Sequence, residues 1–203
     1  MIGERIVLDD VAVGARVVYL PGWLDRPVAD TLFADLMARA PWEQEAPVMF
    51  GRTIVVRRRS CSFGDRGTTY RYSGLERRAV PWTEALVAVV ERLDRERGTR
   101  FNYALANLYP DGEAGLGWHA DDESDLVRDA PIASLSLGET RDFLLRRKKQ
   151  RAGLTAVALE HGSLLVMEGS TQRFYRHALP PRKRATGARV NLTFRCITAR
   201  ASP

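Results

Sequence analysis

The sequence has few of the residues that build covalent or metal frameworks. Its 203 residues include two cysteines and three histidines. Cys61 and Cys196 are too few and too far apart for a disulfide framework or a zinc knuckle. We therefore expect two ordinary thiols in a reducing compartment. A metal site with two histidine ligands would therefore have to use two of these three histidines.

Long hydrophobic runs are also missing. The longest conspicuous one covers residues 164–167, far short of a membrane span. The first five residues carry an early acid and no continuous apolar segment, so they do not resemble a signal peptide. We see no repeat, low-complexity segment or linker. The sequence predicts a single soluble, cytoplasmic domain covering residues 1–203, monomeric and without a membrane partner.

Positive charge is present in excess, and it is clustered. The net charge is +6 and the isoelectric point is about 9.7. Three basic runs cover residues 57–59, residues 146–149 with Arg151, and residues 182–184. One such run is typical of a solvated loop. Three in a chain of this size favour a polyanionic partner, because each neutralised phosphate releases counterions.

Hydrophobic periodicity changes along the chain. Helical spacing predicts one helix from Asp25 to Pro41 and another over residues 81–97. Asp25 is the expected cap of the first helix and Gly98 the expected stop of the second. The first buried stripe is predicted to be Val28, Leu32, Phe33, Leu36 and Met37, and the second Trp82, Leu86, Val89, Val90 and Leu93.

Short strands dominate the second half. Besides one strand near the N-terminus at residues 15–20, we predict strands over residues 101–109, 131–137, 141–146, 155–159, 163–167, 174–177 and 189–197. Two helices followed by many strands indicate an α+β, mainly β chain. The C-terminal half is predicted to be a jelly roll or barrel, with the two helices backing one sheet.

Residues 117–123 carry the most suggestive chemistry. His119 and Asp121 are two residues apart, so in an extended segment both side chains point to the same face. They supply two of the three ligands of a 2-His-1-carboxylate iron site. The same pair also occurs in ordinary turns, where a carboxylate holds a histidine N–H. Taken alone, the spacing favours the ordinary turn.

The last predicted strand has an unusual polar face. Arg189, Asn191, Thr193 and Arg195 alternate with apolar residues. If this face points into a barrel, the buried guanidinium groups need an anionic partner, which a dicarboxylate would supply bidentately. The alternative is the solvent side of an edge strand.

Polar residues also end the strand at residues 101–109. Asn107 and Tyr109 offer an amide and a phenol that can hydrogen-bond a carboxylate. A strand that becomes polar as it leaves the core is the other interpretation.

A third iron ligand would have to be one of the two remaining histidines. His161 precedes Gly162 in a turn, where a histidine needs no special role. His177 lies shortly before the strand with the two arginines, and pairing of neighbouring strands can bring it beside them. We therefore favour His177.

The motifs occur in an order that resembles one family. They cover residues 107–109, 119–123, 131–138, 141–143, 162–167, 177 and 189–195. This combination resembles the AlkB family of Fe(II)- and 2-oxoglutarate-dependent dioxygenases, most closely its DNA-repair branch, over residues 48–197. The resemblance implies a double-stranded β-helix core at residues 101–199, behind an N-terminal extension at residues 1–100 that contains a nucleotide-recognition lid.

The resemblance also implies which residues bind the metal and its co-substrate. The iron ligands are implied to be His119, Asp121 and His177. Arg189 is implied to bind the distal carboxylate of 2-oxoglutarate, supported by Asn107, Tyr109, Asn191, Thr193 and Arg195.

Substrate-binding residues follow from the resemblance as well. Phe50, beside Gly51 and Arg52, resembles an apolar finger that fills the base stack after a nucleotide is flipped out and offsets part of the unstacking cost. The segment with Tyr70, Arg71 and Tyr72 resembles the lid, with Tyr72 stacked on the flipped base. Asp122 and Glu123 are implied to touch the base. Without the resemblance, core packing at strand ends is the simpler interpretation of these aromatic residues.

The implied activity is oxidative demethylation of 1-methyladenine and 3-methylcytosine in duplex and single-stranded DNA. It consumes O2 and 2-oxoglutarate and releases succinate, CO2 and formaldehyde. Two alternatives remain at this point. One is the same chemistry on RNA or on a protein side chain, and the other is a non-catalytic nucleic-acid-binding β-domain.

Overall fold

A computed structural model describes residues 3–44, 48–49, 52–53, 56–72, 75–150 and 153–198, with the side chains of residues 48–53 and 70–77 outside that description. Helices are few within these ranges. They are α1 (Arg26–Arg39), α2 (Glu84–Arg97) and the single turn α3 (Thr171–Phe174).

Strands make up most of the remainder. In chain order they are β1 (Arg5–Asp10), β2 (Ala15–Leu20), β3 (Glu43–Gln44), β4 (Val48–Met49), β5 (Arg52–Thr53), β6 (Arg59–Gly64), β7 (Thr69–Tyr72), β8 (Leu75–Arg78), β9 (Val80–Pro81), β10 (Tyr103–Tyr109), β11 (Leu116–His119), β12 (Ile132–Gly138), β13 (Arg141–Arg147), β14 (Thr155–Leu159), β15 (Ser163–Gly169), β16 (Tyr175–Leu179) and β17 (Arg189–Arg195).

Two antiparallel sheets face each other. The larger runs β1-β2-β15-β12-β17-β10-β6-β3, with β9 added in parallel to β6. The smaller runs β11-β16-β13-β14. Crossovers of this kind between two sheets build a jelly roll. The predicted α+β, mainly β double-stranded β-helix is confirmed.

Strand β17 lies in the middle of the larger sheet. It pairs with β10 on one side and with β12 on the other, and all seven of its residues are buried. The solvent-exposed edge strand that the sequence allowed is therefore wrong. Its apolar face packs with α1 and α2 in one core cluster, and its polar face points toward the smaller sheet.

Helix α1 matches the predicted segment but buries a different stripe. Leu32 and Leu36 are buried as expected, and Ala29 replaces Val28, which is 53% exposed. Asp25 occupies the predicted N-cap position and its backbone carbonyl accepts from the Ala29 N–H, but its side chain forms no capping hydrogen bond. Pro27 in the first turn fixes φ in the helical range and supports the helix start instead.

Helix α2 begins three residues later than predicted. Thr83 caps it, because its hydroxyl accepts from the Leu86 N–H, and the preceding residues form β9. Trp82 therefore lies outside the helix, where it stacks on Phe194 and donates to Asp65. Gly98 ends the helix at φ 61°, a backbone conformation that glycine adopts without steric cost. None of the described helices is long and apolar enough to cross a membrane.

Candidate metal centre and co-substrate pocket

The two sheets bring His119, Asp121 and His177 together. His119 ends β11 and lies opposite His177 on β16, while Asp121 follows two residues later. One potential ligand atom from each residue lies within 4.8 Å of the others. The convergence expected from the i, i+2 spacing is present, and His177 joins it. His161 instead bonds the Gly138 N–H and lies beside Asp30.

The backbone fixes how His119 presents its ring. Its Nδ1 lies 2.8 Å from the carbonyl oxygen of Gly117. A carbonyl only accepts hydrogen bonds, so Nδ1 carries the proton and donates. The other ring nitrogen, Nε2, lies 3.7 Å from Oδ1 of Asp121. This orientation by a backbone carbonyl is common for metal-binding histidines.

Asp121 is buried but remains a carboxylate. Burial acts to raise its pKa, but Arg195 and, in their protonated forms, the two neighbouring histidines outweigh that effect and hold the pKa at about 2. Arg195 donates to Oδ2 over 2.9 Å. The buried Oδ1 accepts no hydrogen bond within the described structure. One oxygen is thus neutralised by Arg195 and the other is available to a cation.

His177 is held in the form that binds metals. Burial, together with the charge of His119, lowers its pKa to about 3. The ring is therefore neutral near pH 7 and keeps a lone pair. It stacks against Phe143 with the ring centroids 5.1 Å apart. One nitrogen from each of two imidazole rings and one carboxylate oxygen fit a divalent iron with open positions.

Arg189 lies at the other end of the same cavity. Its side chain is buried, donates to the Ser136 hydroxyl over 2.9 Å and lies over the Tyr109 ring at 5.3 Å. In the described part of the chain, no carboxylate lies within 4.0 Å of it. Burial and nearby Arg141 lower its pKa to about 10, against the opposing influence of Tyr109. A buried guanidinium in this setting is suited to a ligand carboxylate.

The remaining predicted co-substrate residues line the cavity between these ends. Asn191 donates to the Ser134 hydroxyl and the Leu135 carbonyl, and its own oxygen accepts from Thr193. These two side chains are thus already held by the sheet. Asn107 Oδ1 is buried and, within the residues described, has no hydrogen-bond partner. The predicted roles of all these residues in binding 2-oxoglutarate stay predictions.

Comparison with known proteins agrees with this geometry. A profile of the 2OG-Fe(II) oxygenase superfamily matches residues 16–195. The chain belongs to this superfamily. The DNA oxidative demethylase ALKBH2 of Mus musculus is 39% identical to this chain over 179 residues, which cover 83% of this chain and 75% of the mouse protein. Human alkB homolog 3, an alpha-ketoglutarate-dependent dioxygenase, is 35% identical over 90% of this chain and 66% of its own length.

Two further comparisons show that the match covers only part of a longer relative and that a solved structure shares the fold at low sequence identity. Bovine ALKBH2 is 38% identical, and the matched region spans 64% of that longer protein. The solved structure of OsALKBH1 superposes with a TM-score of 0.61 at 19% identity, covering 89% of this chain and 97% of that one. That structure supports the fold alone. Family membership makes Fe(II) the metal and makes 2-oxoglutarate and O2 the co-substrates, so the non-catalytic alternative is wrong.

The sequence did not reveal three residues that support the oxygenase site. Ser136 holds Arg189, and Gln172 in α3 accepts the Asp121 N–H over 2.9 Å. Arg141, 1% exposed, donates to the carbonyls of Asp111, Ala114 and Pro180. Ser136 and Arg141 lie in the quoted motifs, but no pattern signals that their side chains are buried. Nothing around Gln172 points to a partner 51 residues away.

The substrate-binding residues are placed in part. Asp122 is exposed and pairs with Lys148 over 3.0 Å, and Glu123 is half-buried. Phe50 and Gly51 lie outside the described residues, as do the side chains of Arg52, Tyr70, Arg71 and Tyr72. The predicted finger and lid therefore stay predictions.

An open groove adjoins the metal end of the oxygenase cavity. Its lining includes the three acids at residues 121–123, the segment at residues 126–132, Lys148, Gln172 and Arg173. Asp121 also lines the metal cavity. Asp121, a predicted metal ligand, therefore stands between the groove and the metal cavity.

Proposed function

We propose that the oxygenase removes methyl groups from ring nitrogens of DNA bases, with 1-methyladenine and 3-methylcytosine as substrates. The observation that carries the proposal is the groove that shares Asp121 with the metal cavity. A groove lined by a predicted metal ligand is a suitable place for a large substrate, and relatives named DNA oxidative demethylases support a nucleic-acid base as that substrate.

Bound Fe(II), with 2-oxoglutarate and O2, supplies hydroxylation of the N-methyl carbon, and the co-substrate leaves as succinate and CO2. The hydroxymethyl group then departs as formaldehyde, and the ring nitrogen keeps the electron pair of the broken N–C bond. The protein's own contribution is positional. His119, Asp121 and His177 hold the metal, and the guanidinium of Arg189 anchors the co-substrate at the far end.

The acids at the groove favour this class of base. Both proposed lesions carry a positive charge, which the carboxylates of Asp122 and Glu123 attract. Glu123 is the closer of the two to the protein interior and is suited to accept from an exocyclic amino group. Glu123 is half-buried whereas Asp122 is exposed, and solvent screens an exposed charge more strongly, so we assign the larger effect to Glu123.

Formaldehyde release from matched methylated duplex DNA, single-stranded DNA and RNA tests the proposal. We expect release from DNA that depends on 2-oxoglutarate and is abolished in His177→Ala. Glu123→Gln keeps an acceptor oxygen but removes the negative charge, so we expect it to lower kcat/KM on the charged lesions about tenfold. Asp129→Asn, which removes another acid from the groove lining, is the matched control. Release from RNA alone would overturn the DNA assignment.

The predicted finger has its own test. We expect Phe50→Ala to slow demethylation of duplex DNA while leaving single-stranded DNA unaffected, because only the duplex requires unstacking and wedging. Equal rates of the variant and the wild type on duplex DNA would contradict the finger assignment.

A further inference from the structure

The outer face of the smaller sheet carries a stacked cluster of Trp118, Arg146 and Arg176. The guanidinium carbons of Arg146 and Arg176 lie 4.0 and 5.6 Å from the centre of the Trp118 indole. Trp118 directly precedes the ligand His119, and Arg176 directly precedes His177. Because side chains alternate across a strand, the cluster lies on the face opposite the metal ligands.

The positive charges of this cluster are not balanced locally. Arg146 and Arg176 are paired across β13 and β16, where like charges disfavour one another. Within the described ranges, no carboxylate lies within 4.0 Å of either guanidinium. The next residues along the chain differ, since Arg147 pairs with Asp10 at 3.4 Å and Lys148 with Asp122 at 3.0 Å. Arg147 and Lys148 thus each have a carboxylate partner, whereas the two arginines on the indole have none within the described residues.

The stack also fixes how the two guanidinium groups are presented. Their Nε atoms are buried without a hydrogen-bond partner in the described structure, and each side chain as a whole is only half-buried. The terminal NH2 groups are therefore the donors left for a ligand. Stacking on tryptophan limits the rotamers of arginine, so less entropy is lost when a planar donor pair meets a phosphate.

The cluster lies close in sequence to residues that line the groove. Lys148, two residues beyond Arg146, lines the groove, and β11 with Trp118 is the edge strand of its sheet. We propose that Arg146 and Arg176, stacked on Trp118, bind a backbone phosphate of the strand that carries the methylated base. This inference rests on the proposed function and names the surface that holds its substrate.

Binding of an unmethylated single-stranded DNA oligonucleotide, followed by fluorescence anisotropy at several salt concentrations, tests the inference without any catalytic step. In the double variant Arg146→Gln, Arg176→Gln, we expect Kd to rise about tenfold at low salt. The slope of log K against log salt should decrease by about 0.7 for each phosphate that is no longer neutralised. An unchanged Kd and slope would overturn the inference.

A matched control separates the stack from net charge. Arg92 lies 4.2 Å over the ring of Trp23 in an otherwise similar stack but is bonded to Glu96, and Arg26 is exposed on α1. The double variant Arg92→Gln, Arg26→Gln removes the same two charges. We expect it to bind the oligonucleotide like the wild type. An equal loss of affinity in both double variants would show a nonspecific charge effect and contradict the proposed site.

Folding and catalysis are checked separately. The absorption band of the Fe(II)–2-oxoglutarate complex, measured anaerobically, reports whether the smaller sheet still holds the metal. If the double variant loses this band, the single variants Arg146→Gln and Arg176→Gln replace it, each with a smaller expected decrease in affinity. Unchanged oligonucleotide binding in both would overturn the inference.

Failure of the two proposals is distinguishable. If wild-type protein releases no formaldehyde while the variants still weaken oligonucleotide binding, the demethylase assignment fails and the phosphate site stands. If formaldehyde is released with the same KM by wild type and double variant, the phosphate site fails and the demethylase assignment stands. If both proposals are correct, we expect the double variant to have a KM for methylated DNA about tenfold above that of the wild type. Its kcat at saturating substrate should be unchanged.

Discussion

The two ends of β17 each carry a buried arginine, and their surroundings differ. Arg195, 3% exposed, donates to the equally buried Asp121 over 2.9 Å. Arg189, 2% exposed, has a hydroxyl and an aromatic ring beside it but no carboxylate within the described structure. The same side chain, six positions along one strand, is neutralised at the metal end and not at the other.

This difference indicates that one end of the cavity is suited to a metal cation and the other end to the carboxylate of a co-substrate. At the metal end the protein compensates the charge of its ligand set before any cation arrives, so Asp121 is ionised and oriented in advance. At the other end the compensating charge has to come from a ligand. A buried arginine without a carboxylate costs free energy, which a bound dicarboxylate would offset.

The largest expected effect comes from breaking the metal-end pair. Arg195→Met leaves Asp121 buried without its cation, so the free energy of unfolding of the metal-free protein should fall by about 3–5 kcal/mol. Mn(II) replaces part of the missing charge, so the decrease should be smaller in its presence. Urea unfolding with EDTA and with saturating Mn(II) measures both. Equal decreases in the two conditions would contradict compensation of Asp121 by Arg195.

Arg189→Met should behave in the opposite way. Because no carboxylate depends on Arg189, the metal-free protein should keep its free energy of unfolding to within about 1 kcal/mol. Affinity for 2-oxoglutarate should fall at least 100-fold, since charge-assisted bonds to the guanidinium contribute about 1.5–3 kcal/mol each. Anaerobic titration of the Fe(II) complex measures this decrease. Unaltered Mn(II) affinity is the control, and retention of 2-oxoglutarate binding would remove Arg189 from the pocket.

The two arginines also show which features of the site the sequence predicts and which it does not. The alternation over residues 189–195 placed both on one face, and the i, i+2 spacing brought His119 toward Asp121. Periodicity could not choose between an inner and an outer position for β17, because that depends on β10 and β12, which pair with it from distant parts of the chain. The family resemblance supplied the inner position, and the sheet order confirms it.

Other features depended on contacts that leave no local pattern. β11 was not predicted as a strand, because it has only four residues and pairs irregularly with β16. Asp25 holds the N-cap position that its residue type predicts, but the sequence did not reveal that its side chain makes no capping hydrogen bond. Gln172 and Ser136 act through partners on other elements, and which polar residue meets which partner is decided by packing. The sequence thus indicates the ligands better than it indicates what holds them.

Gln172→Leu sharpens the description of the metal end. The variant removes the acceptor of the Asp121 N–H, so the segment that carries Asp121 loses one of its hydrogen bonds. We therefore expect Mn(II) affinity to fall by about tenfold. Gln172→Glu keeps an acceptor oxygen and removes the amide donor to the Met167 sulfur. It should retain more of the affinity. If both variants weaken Mn(II) binding equally, the bond to Asp121 is not the cause.

Ser136→Ala tests the other end with the smallest change. The hydroxyl accepts from Arg189 and its removal frees the guanidinium to move, so 2-oxoglutarate affinity should fall about fivefold, corresponding to a net hydrogen bond of about 1 kcal/mol. Ser62→Ala is the control, since Ser62 is buried in the same sheet but bonds Tyr103. Mn(II) affinity should be unchanged in both. If Ser136→Ala weakens Mn(II) as much as 2-oxoglutarate, the two ends of β17 are coupled rather than separate.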